Sequence, residues 1–279
     1  MEFQKSVIEI IKTRKSSRSF EEREIDITAL QKLADYIKEI NEAASIKARF
    51  IFANNQDLDG GTRKKLGTYG VISGARSCII GIMDKEERDA LEFGYCFEKI
   101  ILFATDLGLQ TCWLGMTFNK NGFKMRADLL ANEFIPIVSP VGIAKEKPRI
   151  FESAMRAMIK ADNRKPWDEL FFEGESSVSL SEQSAGSYAV PLEMVRIGPS
   201  ASNKQPWRII KNNHAFHFYL CRTEGYGGPT YDMQMNDIGI AKCHFELSAK
   251  ELGLKGKWIV MENNETSNEW EYITTWSSE

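Results

Sequence analysis

Pro199-Ser200-Ala201-Ser202-Asn203-Lys204-Gln205-Pro206-Trp207 is the stretch on which the reading of this chain turns. It follows a short apolar run, Leu192 to Ile197, that suits a helix. Gly198-Pro199 ends that run, because proline cannot extend a helix and restricts the residue before it. Two hydroxyls and an amide come next, with almost no apolar side chain. Arg208-Ile209-Ile210 then reads as a strand. A polar loop held between a helix and a strand presents backbone N–H groups and short donors to a ligand. The same composition also suits an ordinary connection.

A second polar stretch lies near the start. Phe3, Val7, Ile10 and Ile11 recur at helical spacing and predict an amphipathic helix over residues 3–12. It leads into Thr13-Arg14-Lys15-Ser16-Ser17-Arg18-Ser19-Phe20, with three cations and four hydroxyls in eight residues. Forked guanidinium donors and short hydroxyls suit a phosphate, although a basic loop can also simply be solvated.

Together the two stretches resemble the FMN-dependent nitroreductase superfamily. Arg-x-Ser-x-Arg-x-Phe after an N-terminal helix is similar to that family's opening flavin-binding segment. Pro-Ser-x-x-Asn-x-Gln-Pro-Trp is similar to the loop that it lays against a flavin bound mainly by the other subunit. The resemblance implies that Arg14, Lys15 and Ser16 serve the FMN phosphate and ribityl end. It places Arg18 at the pyrimidine edge of the ring, with Phe20 packed beneath. It implies a ligand role for Pro199, Ser200, Ala201, Ser202, Asn203 and Gln205. Leu109-Gln110-Thr111-Cys112-Trp113-Leu114-Gly115-Met116 reads as a strand ending in a bend. It resembles the family's Gly-Leu-Gly-Thr-Cys-Trp segment, so the backbone of Leu114, Gly115 and Met116 is expected near flavin N5. Asn163-Arg164-Lys165-Pro166 resembles a late basic patch, which makes Arg164 a phosphate candidate. Lys147, Arg149 and Arg156 read as surface charges. The family's usual Asn and Lys at the flavin edge have no match here, and backbone groups around Tyr69–Ile72 are the expected substitutes.

Between these segments the pattern predicts a helix over Ala29–Ile40, a strand at Arg49–Ala53 and a charged loop over residues 55–67. A strand at Cys78–Met83 and a long buried helix, Leu91–Leu107 with Gly108 at its C′ position, come next. A helix near Lys124–Ala131 and a strand near Ile137–Ile143 close the first half. Residues 173–187, rich in Ser, Glu and Gly, have linker composition. Beyond Trp207 a hairpin turning at Asn212-Asn213, a glycine-rich loop at Gly225–Pro229 and a second buried helix over Ile238–Leu252 are expected. Glu269–Trp276 alternates like an added strand.

The two buried helices are related. Gly94, Ala104, Leu107, Gly108, Leu109 and Trp113 recur at one constant displacement as Gly239, Ala249, Leu252, Gly253, Leu254 and Trp258. Identities at fixed spacing over one helix–turn–strand unit signal an internal duplication. The first half keeps the arginine segment, but after its helix reads Asn41-Glu42-Ala43-Ala44-Ser45-Ile46 where the Pro-Ser-x-x-Asn loop would stand. The second half keeps that loop and lacks the arginine segment. The chain is thus identified as a member of a fused-half, pseudo-dimer nitroreductase subfamily. The expected fold is α+β, two related halves each with a mostly antiparallel sheet flanked by helices. The expected division is a first half at 1–172, a linker at 173–187 and a shorter second half at 188–279, with one flavin in the groove between halves.

Composition is that of an ordinary globular protein. The 279 residues are 43% hydrophobic and 27% charged, with a net charge of −3. That balance offers no electrostatic footprint for nucleic acid or an anionic membrane. The five cysteines form no Cys-x-x-Cys pair, so buried thiols are expected, and no metal site. Met1–Ile11 is too charged for a signal peptide and no apolar run approaches a membrane span, so a cytoplasmic protein is expected. His214, His217 and His244 read as structural. The resemblance implies hydride transfer from NADH or NADPH through flavin N5 to a nitroaromatic, quinone or similar small acceptor. No side-chain acid or base is implied, and Arg18 and the Gly115 and Met116 backbone tune the flavin. A monomer is plausible for a pseudo-dimer. The alternative is a flavin carrier or sensor without turnover.

Overall fold

The computed structural model describes residues 1–54, 68–115, 118–119, 123, 127–225, 231–261 and 270–279. The chain divides into two compact units. The first comprises Met1–Lys5, Thr13–Asp89 and Cys96–Met158, and the second Ser6–Lys12, Ala90–Tyr95 and Ile159–Glu279. This differs from a cut at residue 172, because short early segments pack with the late part of the chain.

In the first unit, helix α2 (Ile27–Ala43) starts at Asp26, whose carboxylate accepts the Ala29 N–H at 3.0 Å. Its Leu33, Tyr36, Ile37 and Ile40 are buried. Asn41 near its end exchanges two hydrogen bonds with the Phe50 main chain, at 2.7 and 2.8 Å, and so fixes strand β1 (Ala48–Asn54) against it. Strand β2 (Ser77–Asp84) is buried from Ser77 to Met83, as expected of a strand covered on both faces. With β3 (Gln110–Thr111) and β4 (Glu133–Gly142) it makes an antiparallel sheet of order β1-β2-β4-β3. The expected strand at 109–116 shrinks to β3, followed by a single bridge from Leu114 to Val138. Helix α4 (Ile150–Met158) ends the unit. The 55–67 loop and residues 124–126 of the expected 124–131 helix lie outside the described residues, and residues 127–131 are turn and irregular chain rather than helix.

Helix α1 spans Val7–Thr13, shorter than the 3–12 periodicity suggests. The Glu251 carboxylate takes the Val7 N–H and caps the new start. Phe3 leaves the helical stripe and packs its ring on Tyr36 and Phe103, 6.2 and 6.0 Å between centroids.

The second unit carries β5 (Phe171–Glu173), β6 (Trp207–Asn212), β7 (Ala215–Leu220), β8 (Gly256–Ile259) and β9 (Glu271–Ser278) in the order β5-β6-β7-β9-β8. The β5–β6 pair is parallel and the others antiparallel. The hairpin turns at Asn213-His214, one residue later than the sequence suggests, with Asn213 at φ 52°. Strand β9 is an inner strand, not an addition at the edge.

Residues 173–187 are not a linker. The Glu173 N–H donates to Val178 O, the Leu180 N–H to Phe171 O and the Trp167 indole to Leu180 O. Ser181 then caps a one-turn helix, α5 (Glu182–Ala185). Leu180 and Ala185 are core residues, so a few apolar side chains in a polar stretch suffice to fold it down. Helix α6 (Ala189–Arg196) and the long α7 (Met233–Glu251) cover the sheet, with Phe245 of α7 ringed by Phe216, Phe218 and Trp276.

The repeated residues have matching jobs. Helix α3 (Ala90–Asp106) and α7 both end in a Schellman turn. Leu109 N–H donates to Ala104 O and Leu254 N–H to Ala249 O, each at 2.9 Å. Gly108 and Gly253 hold φ of 79° and 72°. Trp113 and Trp258 each donate the indole N–H to a glutamate of the preceding helix, Glu98 at 2.9 Å and Glu246 at 2.8 Å. Gly94 and Gly239 mark a backbone-to-backbone crossing. A Cβ on Gly94 would lie 2.6 Å from Asn236 O, and one on Gly239 2.2 Å from Leu91 O.

Candidate functional site

In the first unit the arginine segment is an extended chain clamped on both edges. Ser17 N–H donates to Thr111 O, Ser73 N–H to Arg18 O and Phe20 N–H to Ser73 O, all within 2.9 Å. Glu21 N–H then reaches Ile143 O and Lys145 N–H reaches Ser19 O. Phe20 is fully buried under the segment, and Gly74 is needed because a Cβ there would sit 1.9 Å from Phe20 O. The alternation puts Arg14, Ser16 and Arg18 on one side of the chain.

What these side chains meet is unusual. Arg18 is buried, yet its Nε and Nη1 have no hydrogen-bond partner; Arg14 Nη1, Ser73 Oγ and Glu152 Oε2 are buried and unpartnered as well. Burial lowers the Arg14 pKa from its ordinary value, with Arg156 adding to the fall and Glu98 and Cys112 opposing it. Burial raises that of the neighbouring Cys112 thiol, against the pull of Arg18 and Arg14. Such orphaned donors are costly unless a ligand completes them.

Three residues emerge that the sequence did not mark. Glu152 accepts the Arg18 backbone N–H at 3.0 Å through Oε1. Arg156 donates to Ser16 O at 3.3 Å. Arg149 donates to Gly70 O at 3.2 Å and Val71 O at 2.8 Å, and its N–H to Ser19 Oγ at 3.1 Å. Arg149 and Arg156 are therefore not idle surface charges. Arg149 pins the tight turn in which Tyr69 (φ 48°) and Gly70 (φ 79°) are left-handed, with the Tyr69 side chain exposed. Lys15 is exposed. Leu114 spends its N–H and C=O on Val138, at 2.9 and 3.0 Å; Gly115 follows it, and Met116 lies outside the described residues.

The other group of expected residues lies in the second unit. Pro199 opens the loop, and Ala201–Asn203 is a single tight turn. Ser202, Asn203 and Gln205 all hold positive φ, 46°, 58° and 50°. Non-glycine residues there carry strain that surrounding bonds must offset. Those bonds are dense. Ala201 N–H donates to both oxygens of Asp237 at 3.0 and 3.2 Å, and Gln205 N–H to Ser200 Oγ at 2.8 Å. Gln205 Oε1 accepts the Lys165 N–H at 2.8 Å. Asn203 Oδ1 accepts from Arg164 at 3.0 Å, and its Nδ2 donates to Lys160 O and Asn163 O at 2.7 and 2.8 Å. Arg164 also donates to Ile197 O and Ala161 O. Burial drives the Asp237 pKa well above the usual carboxylate range, with Asp232 adding to it and the Ala201 bond opposing.

The histidines stand in structural settings. His244 Nδ1 lies 2.9 Å from Met194 O and His217 Nδ1 2.8 Å from Thr275 Oγ1. None of the five cysteines is in a disulfide. Among the described residues there is no cluster of three metal-ligating side chains, and no helix is long and apolar enough to cross a membrane.

Comparison with protein families gives a match over residues 6–249 to the family described as "Putative TM nitroreductase". The chain belongs to this nitroreductase family. Its full length is similar to the crystal structure of a putative nitroreductase from Thermotoga maritima, which is 95% covered at 17% identity with a TM-score of 0.59. At that identity the likeness shows the shared fold. A nitroreductase family protein from Clostridium novyi is 26% identical over 55% of this chain and 92% of its own, with a TM-score of 0.39. A nitroreductase with bound FMN from Desulfitobacterium hafniense is 21% identical over 52% of this chain and 93% of its own, also at 0.39. No curated protein matches.

Proposed function

We propose that this nitroreductase-family chain is an FMN-dependent NAD(P)H oxidoreductase acting on a nitroaromatic, a quinone or a similar small acceptor. The observation that carries the proposal is the set of buried, unpartnered polar atoms around the arginine segment: Arg14 Nη1, Arg18 Nε and Nη1, Ser73 Oγ and Glu152 Oε2. These atoms fit FMN, which combines a phosphate of charge about −2 with a ring edge of alternating acceptors and a donor. Bound FMN would supply hydride transfer at N5.

The chain's own residues bind, orient and tune. Arg14 and Ser16 hold the phosphate and ribityl end, where charge-assisted bonds replace the missing partners of Arg14. Arg18 sits at the pyrimidine edge, where a guanidinium favours negative charge gathered on reduction. With Leu114 spending its N–H and C=O on Val138, the Gly115 backbone is the described part of the segment expected near N5. The Pro199–Gln205 loop is held rigid by Asp237 and Asn203, as suits a loop that presents backbone groups to a ligand.

The test is a visible spectrum of the purified protein, or of the protein reconstituted with FMN, followed by anaerobic NADH and NADPH. Bound-flavin absorbance that bleaches with one of the two donors and returns with a quinone or nitroaromatic is the expected result. Absence of flavin binding overturns the proposal. Tight binding with no reduction by either donor converts it to a carrier or sensor.

A further inference from the structure

Helix α4 buries an unexpected residue. Its apolar Ile150 and Met158 are 89% and 76% exposed and Phe151 is 47% exposed, whereas Glu152 is 4% exposed. A helix that buries a carboxylate more deeply than any of its apolar side chains, with only Met155 packed against the core, departs from the usual sorting. Burying a carboxylate is expensive unless its oxygens are matched by donors. One oxygen, Oε1, is matched by the Arg18 N–H at 3.0 Å. The other, Oε2, is sealed from solvent with no partner.

The main chain of Arg18 organises the surroundings. Its N–H goes to Glu152 and its C=O accepts the Ser73 N–H at 2.9 Å. All three residues so joined carry an unmatched side-chain polar atom: donors on Arg18, an acceptor on Glu152, a hydroxyl on Ser73. A phosphate dianion cannot be the partner of Glu152 Oε2, since like charges repel and it has no O–H to donate. The missing partner is a donor flanked by acceptors. The oxidised isoalloxazine ring has a single N–H, at N3, and it lies between the C2 and C4 carbonyls.

We propose that Glu152 accepts the flavin N3–H while Arg18 and the Ser73 hydroxyl serve the flanking carbonyls. Glu152 thus fills the edge for which backbone groups around Tyr69–Ile72 were the expected substitutes. The inference rests on the reading above that FMN is the ligand of this segment. It makes Glu152 a cofactor-binding residue, and it explains why α4 turns this side chain inward.

The test separates the N3–H contact from flavin binding as a whole. Wild type and the Glu152→Ala and Glu152→Gln variants are stripped of flavin, and dissociation constants are measured for FMN and for 3-methyl-FMN, in which the donor is replaced by a methyl group. A hydrogen bond to a charged acceptor predicts that wild type prefers FMN by at least about tenfold. The preference falls to about threefold or less in Glu152→Ala and is reduced in Glu152→Gln, whose amide can offer an oxygen to only one of the two N–H groups. Wild type that binds both flavins equally overturns the proposal even if neither variant folds. So do variants that keep the wild-type preference. Wild type that binds neither flavin overturns the flavin reading itself, a distinguishable result.

Discussion

At the scale of single residues, Asp237 is the most exacting side chain in the second unit. It is buried, its partner is the neutral Ala201 N–H, and burial raises its pKa well above the ordinary range. The sign of the effect on stability follows. Below the unfolded pKa of about 3.9 both states bind the proton and the group is neutral in its effect. As pH rises from there towards the folded pKa, the unfolded state ionises first and stability is lost. Asp237→Asn keeps an oxygen for Ala201 and removes the charge. Thermal melts should therefore show the variant more stable than wild type at pH 8, with the gap closing as pH falls to about 4. A variant less stable at pH 8 would show that the Asp237 charge has a counter-charge in the fold. The residues of the arginine segment were legible in sequence because they lie within a few positions of one another. Glu152, Arg149 and Arg156 were not, because they reach that segment from about 130 residues away and α4 has no local pattern that announces a ligand. Asn203 and Gln205 were legible as a motif, but not their dense bonding to residues 160–165 of the same unit.

At the scale of elements, the paired identities of α3 and α7 turn out to be two kinds of constraint. Gly253 sits in a left-handed C′ position with nothing within 4 Å of a Cβ. Alanine there meets backbone strain alone, about 1–2 kcal/mol. Gly239 has an ordinary helical backbone, but its Cβ would strike Leu91 O at 2.2 Å and Tyr95 N at 2.7 Å, and backbone atoms cannot swing aside. Urea denaturation should show Gly253→Ala destabilised modestly and Gly239→Ala by clearly more, or not folded at all. Equal losses would mean that the helices separate at little cost. Periodicity found these helices because each is long and apolar. It missed β5 because three residues carry no period, and because Phe171 and Phe172 border a stretch whose serines and glutamates read as a linker. Hydrogen bonds to Val178 and Leu180 fold that stretch onto β5, and such pairings leave no trace in composition.

At the scale of the whole chain, the recurrence of residues between α3 and α7 was visible while the unit boundaries were not. Residues 6–12 and 90–95 group with the second unit, a fact of tertiary packing that no composition shift records. The distribution of motifs over the two units still carries a prediction. The arginine segment with its unmatched buried donors occurs once, in the first unit. The Pro199–Trp207 loop occurs once, in the second, and the corresponding place after α2 reads Asn41-Glu42-Ala43-Ala44-Ser45-Ile46. An FMN site needs cations for its phosphate, and in α7 both Lys242 and Lys250 are already spent, on Glu92 and Glu246. Titration of the flavin-free protein with FMN should therefore saturate at one flavin per chain. Melting temperature should rise in step, because a ligand at about 100 times its dissociation constant stabilises the folded state by about 2.7 kcal/mol. Saturation at two per chain would mean that the second unit has donors for a phosphate without an arginine segment. Saturation at one per two chains would mean that a single chain lacks part of the site. Either result would break the link between motif count and site count on which the single-flavin reading depends.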